Sequence, residues 1–222
     1  MKNTLSIALI ILLLTGCAGM LVSRDAREAF QQGLALFHQG RYEKAIPYFE
    51  RSTEYDPEYA DAYLYLGRSY LNLGKLIEAI QPLRTAYQLA PEDTGKEAVN
   101  LLIDALIGGA LTEFKKGNYN GSVNYLKEGL DVDPDSSMLR EELVKTLLVF
   151  GSVLLSEGNA SEAVNKFSEA VDMAPDNMEG YLGLAKAFIQ KGDVFDALKI
   201  INSALQRAST DTERSQFKNL LP

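Results

Sequence analysis

One thiol and one imidazole make up the soft-ligand inventory of these 222 residues: Cys17 and His38. A lone cysteine closes no disulfide within its chain, and a single sulfur with a single imidazole does not complete a metal site. His38 falls near the end of an apolar-periodic run, where a cation complements the carbonyl end of a helix. No G-x-S-x-G, H-E-x-x-H or glycine-rich phosphate loop occurs. Asp104, Glu113 and Glu179 are scattered, with none of the pairing a sugar hydrolase needs. These residue types predict no enzyme, no cofactor, no metal and no small-molecule substrate. The chemistry left to explain is that of Cys17.

Its surroundings supply it. "MKNTLSIALIILLLTG" carries one positive charge, Lys2, then a mostly apolar run from Leu5 to Leu14. An apolar core of that length has the shape of a secretory signal and is too short to span a bilayer alone. The alternative is an uncleaved membrane helix over the uncharged stretch from Asn3 to Ser23. Leu14-Thr15-Gly16-Cys17 resembles the bacterial lipobox. That resemblance implies cleavage before Cys17, acylation of its sulfur and amine, and attachment by two or three chains, which suffices for stable anchoring. Ala18, in the place after the lipidated cysteine, favours the outer over the inner membrane by the same resemblance. Loss of Lys2 makes the formal charge of −8 one unit more negative. Such a balance argues against nucleic acid, which rewards clustered Lys and Arg.

The elements that follow repeat. Gly40, Gly74, Gly117, Gly158 and Gly192 each end an apolar-periodic run. Five residues after each stands a small residue: Ala45, Ala79, Ser122, Ala163 and Ala197. Four further on come Phe49, Leu83, Leu126, Phe167 and Ile201. Three beyond those are Ser52, Ala86, Gly129, Ala170 and Ala204, and Pro57, Pro91, Pro134 and Pro175 close the first four units. Glycine takes the left-handed conformation at a helix end, small-against-bulky positions let paired helices approach, and proline stops the second helix. This grammar, fullest in "ADAYLYLGRSYLNLGKLIEAIQPLRTAYQLAPED", resembles the tetratricopeptide repeat (TPR). The resemblance implies an all-α, right-handed α-solenoid of five helix pairs with a short C-terminal capping helix.

The predicted organisation is a signal peptide at 1–16, the lipidated cysteine and tether at 17–25, and two units at 26–93. A third unit with an extended first helix follows at 94–136. Units four and five occupy 137–211, the fourth with an extended first helix, and a cap lies at 212–222. Thr94 with Glu97, and Thr210 with Glu213, are spaced as capping boxes. Pro47 and Pro82 fall inside second helices.

In the TPR family, first helices line a concave groove. The fifth positions of these units read Phe30, Leu64, Ile107, Leu148 and Leu182, and the twelfth read Phe37, Leu71, Phe114, Leu155 and Ile189. An all-hydrocarbon stripe has two readings: a groove for a partner's apolar segment, or core hidden by the winding of the array. On the first reading Phe30, Leu34, Phe37 and Leu71 receive the partner while Tyr65, Arg68 and Asn72 fix its register. The two resemblances together imply a membrane-anchored, periplasm-facing interaction scaffold of a bacterial envelope. Its partners would be envelope proteins, and its task assembly of an envelope or outer-membrane complex. Pilotin-like service to a secretin or type IV pilus and adaptor service to a cell-wall hydrolase are the alternatives, with an envelope enzyme ranked behind them. Replacing Cys17 removes the acylation site, so Cys17→Ser material should leave the membrane pellet or retain its leader. Fractionation and migration unchanged from wild type would favour the membrane helix.

Overall fold

Gly40, Gly74, Gly117, Gly158 and Gly192 hold φ values of +72°, +69°, +78°, +84° and +89°. Each sits in the turn that the spacing assigned to it. The computed structural model describes residues 22–89 and 94–221. The expected signal peptide, Cys17 and Ala18 lie outside the described residues, as do 90–93 and Pro222.

Among the described residues every regular element is an α-helix. The first unit of the repeat is α1 (Arg24–His38) with α2 (Tyr42–Tyr55), and the second is α3 (Ala60–Asn72) with α4 (Leu76–Leu89). Then come α5 (Thr94–Lys115) and α6 (Tyr119–Val132), followed by α7 (Ser137–Ser156) and α8 (Ala160–Met173). The last pair, α9 (Met178–Lys191) and α10 (Val194–Arg207), is followed by α11 (Asp211–Lys218). Ser23, Asn118, Ser136, Asn177 and Thr210 accept hydrogen bonds from the first turns of their helices, satisfying amides that have no partner within the helix. Pro47 and Pro82 are accommodated within α2 and α4. The chain divides into two compact units, one ending at Ala105 and the other beginning at Leu106, within α5.

Helices pair through one recurrent contact. In α1, a Cβ built on Gly33 would lie 2.8 Å from the Phe49 ring of α2. In α3, a Cβ on Gly67 would lie 2.5 Å from Leu83 Cγ of α4, and in α7 one on Gly151 would lie 2.8 Å from the Phe167 ring of α8. Phe167 also covers Gly183 of α9, so one ring fills the space left by two absent side chains. Phe49, Leu83 and Phe167 are fully buried. In α6, Gly129 does the same for Leu139 of α7.

In the first compact unit the core is aromatic. Phe30 packs against Phe49, Tyr59 and Tyr65 at centroid distances of 5.7, 5.0 and 5.5 Å. Phe37 packs against Tyr42, Phe49 and Tyr65 at 5.1, 6.5 and 5.1 Å. Tilted and edge-on pairs at such distances are favourable, each by about 0.5–1.5 kcal/mol beyond area burial. Ser52 Oγ donates to Ala26 O at 2.8 Å, satisfying a buried hydroxyl between α1 and α2.

The sequence-based capping box at Thr94 takes another form. Thr94 Oγ1 donates to Asp61 Oδ1 at 2.6 Å, and Glu97 pairs with Arg68 at 3.0 Å, so both residues tie α5 to α3. The second box is present: Thr210 Oγ1 accepts from Glu213 N, and Glu213 reaches back to Thr210 N. It starts a cap one residue earlier than the expected 212. Phe217 of that cap is fully buried with Tyr181, Ala185, Ile201 and Ala204. The backbone amides of Thr210 and Ser209 donate to the Glu213 carboxylate and hold it below its ordinary range.

Adding carbons under Leu83 should be costly despite the helix propensity gained on losing a glycine. Gly67→Val is expected to destabilise the protein by about 1–3 kcal/mol, the usual range for overpacking. Thermal denaturation followed by circular dichroism checks this. An unchanged or higher midpoint would show that the α3–α4 contact has room to spare.

Candidate protein-binding site

The apolar stripe expected at the first two units is core. Phe30 and Phe37 are 6% and 8% exposed and lie in the aromatic cluster. Leu34 and Tyr65 are half-buried against the same cluster. Position on a helix does not decide exposure: Tyr59 and Tyr65 of the next unit cover the face that Phe30 and Phe37 share. Arg68 lies over the Phe37 and Tyr65 rings, 5.2 and 4.8 Å from their centroids, while bonding Glu97. Its guanidinium therefore serves the fold, with cation–π attraction added to the ion pair. Leu71 is half-buried, and exposed Asn72 donates through Nδ2 to Arg68 O at 2.8 Å. The structure brings these seven residues together, but as a packed region with polar edges.

An open apolar concavity lies in the second compact unit, among α5, α6 and α7. A groove of about 450 Å³ is lined there by hydrocarbon on most sides. Ala110, Ser122, Leu126 and Thr146 form a buried floor. Ile107, Leu111 and Phe114 of α5 line one wall, and Met138, Glu142, Lys145 and Val149 of α7 line the other. Leu111, Met138 and Val149 are 51%, 61% and 39% exposed, so the walls present large apolar side chains to solvent. Ile107 and Phe114 belong to the stripe expected from sequence; Met138 and Glu142 do not, because they sit in the extension of the fourth unit's first helix. The extended helix is expected from sequence, but which face it leaves uncovered is not.

Aromatic stacking buttresses one end. The Phe114 ring meets Tyr119 edge-on at 5.3 Å, and Tyr119 stacks on buried Phe150 at 5.5 Å. Glu113, unusual at a position where the other units carry Leu, Tyr or Phe, accepts from Lys116 Nζ at 2.9 Å and Asn118 Nδ2 at 2.6 Å. Those hydrogen bonds hold its carboxyl below the ordinary range and fasten the α5–α6 turn. On the opposite rim, Lys145 Nζ bonds Glu141 at 2.9 Å and Glu142 at 3.0 Å, which raises the lysine above its ordinary value. The arrangement can bury apolar side chains and meet charge at its edge. Among the described residues, no group of three or more His, Cys, Asp or Glu could hold a metal ion, and no helix is long and apolar enough to cross a membrane.

Comparison with known proteins bears on the repeat. Among curated proteins, tetratricopeptide repeat protein 16 of Macaca fascicularis is 26% identical over 130 residues, covering 59% of this chain and 15% of that protein. ALBINO3-like protein 3, mitochondrial, of Arabidopsis thaliana is 26% identical over 122 residues, covering 54% and 22%. The chain thus spans less than a quarter of the length of these relatives. Among solved structures, MamA of Desulfovibrio magneticus RS-1 superposes with TM-score 0.37 at 15% identity, covering 88% of this chain and 99% of that one. YrrB, described as a TPR protein with an unusual peptide-binding site, gives 0.35 at 18% identity, covering 88% and 92%. Two tetratricopeptide-repeat family models match residues 24–94 and 154–221. Over those two stretches, more than half of its length, the chain belongs to the tetratricopeptide-repeat family.

Proposed function

We propose that the protein is a lipid-anchored interaction scaffold of a bacterial envelope, and that it holds a partner's apolar segment in the groove among α5, α6 and α7. The observation that carries this reading is the exposure of Leu111, Met138 and Val149 around a buried floor. Packing with neighbouring helices accounts for the aromatic cluster of the first two units and for the cluster around Phe217, whereas these side chains face an open concavity. Burial of a large apolar side chain contributes about 1.5–3 kcal/mol, so two or three seated residues give a specific but reversible complex.

The anchor rests on Leu14-Thr15-Gly16-Cys17. Six residues separate Cys17 from the first residue of α1. Extended, they reach about 20 Å, which would keep the start of the array near the bilayer. Partners there would be envelope proteins awaiting insertion or assembly, in keeping with a role in building an envelope or outer-membrane complex.

Carboxylates on the groove walls should abolish capture without disturbing the fold, because both positions are exposed. The double variant Leu111→Glu, Val149→Glu should keep wild-type helix content and lose at least tenfold in affinity for a partner isolated with the wild-type chain from native membranes. Undiminished affinity would place recognition on another surface.

A further inference from the structure

The groove's two ends differ in charge. At the Met138 end one ammonium, Lys145, is shared by two carboxylates, Glu141 and Glu142. Glu142 and Lys145 line the groove itself and Glu141 shares the same ammonium, so this end carries one more negative than positive charge. At the Phe114 end, Lys115 and Lys116 stand against Glu113 alone, and that carboxylate is occupied by Lys116 and Asn118. Apolar walls run between the two ends.

We infer that the segment seated in this groove is an apolar stretch flanked by Lys or Arg, with its basic residues placed over Glu141 and Glu142 at the Met138 end. This rests on the groove being the partner site, and adds which partner it selects. A cation arriving there completes a rim that has one ammonium for two carboxylates. A second copy of this chain is the weaker fit, since its formal charge is −8. An acidic segment would meet like charge just where the apolar wall begins. Surface pairs of this kind select and orient more than they tighten.

The test uses the full chain in detergent and three fluorescent peptides that share the core Leu-Leu-Phe-Leu-Leu, flanked at one end by Lys-Lys, Glu-Glu or Ser-Ser. Anisotropy titrations at low salt should show the Lys-flanked peptide binding tightest, with about two- to fivefold for each basic residue. The gap should close as salt screens the rim. Charge reversal by Glu141→Lys with Glu142→Lys should invert the order of the Lys- and Glu-flanked peptides and leave the Ser-flanked peptide nearly unchanged. Equal affinity for the Lys and Glu flanks, or an order that survives charge reversal, overturns the charge selection while leaving the groove in place. No binding of any peptide, or binding unaffected by Leu111→Glu, overturns the groove itself. Concentration-dependent self-association that Leu111→Glu abolishes would assign the groove to a second copy and overturn the inference.

Discussion

Paired helices in this chain approach until a backbone with no side chain meets a large one, as Gly33 meets Phe49, Gly67 meets Leu83 and Gly151 meets Phe167. Packing of this closeness leaves no slack, because interiors are as dense as organic crystals and a single added carbon must displace a neighbour. The contact fixes the separation of the two helices, and the small residues Ala45, Ala79 and Ala163 keep the adjoining turn equally close. The sheltered amides and carbonyls are already satisfied within helices. The side chains outside each pair then decide whether a face becomes core or surface.

The two compact units resolve that choice differently. In the first, aromatic residues from the following repeat fold over the first helix, and Arg68 closes the edge by lying on two rings while pairing with Glu97. In the second, the extended start of α7, from Ser137, contributes Met138 and Glu142 to the wall of a groove. The extended start of α7 therefore helps to frame the groove.

Much of this was legible in the residues. Glycine spacing located five turns, all with positive φ, because a left-handed turn restricts residue type locally. Thr210 and Glu213 announced the final helix for the same reason, since a capping box is complete within four residues. Thr94 and Glu97 have that spacing too, yet their partners are Asp61 and Arg68, more than twenty residues away. The stripe through Phe30 and Phe37 was visible as periodicity, but periodicity reports that a face is apolar and not what lies against it. Tyr59 and Tyr65 decide that, through contacts between units. Met138 shows the converse: outside the repeat pattern it had no family position to suggest a role, although it is among the most exposed apolar side chains of the groove.

The division between aromatic core and open groove is most directly measured by fluorine NMR of the chain labelled throughout with 4-fluorophenylalanine, with a neutral paramagnetic agent in the solvent. Resonances are assigned by single Phe→Leu changes. Phe30, Phe37 and Phe49 should stay sharp, Phe195, which is 82% exposed, should broaden strongly, and Phe114 at the groove wall should fall between them. Broadening of Phe30 and Phe37 to the level of Phe195 would contradict the account, because the first two units would then present their stripe to solvent.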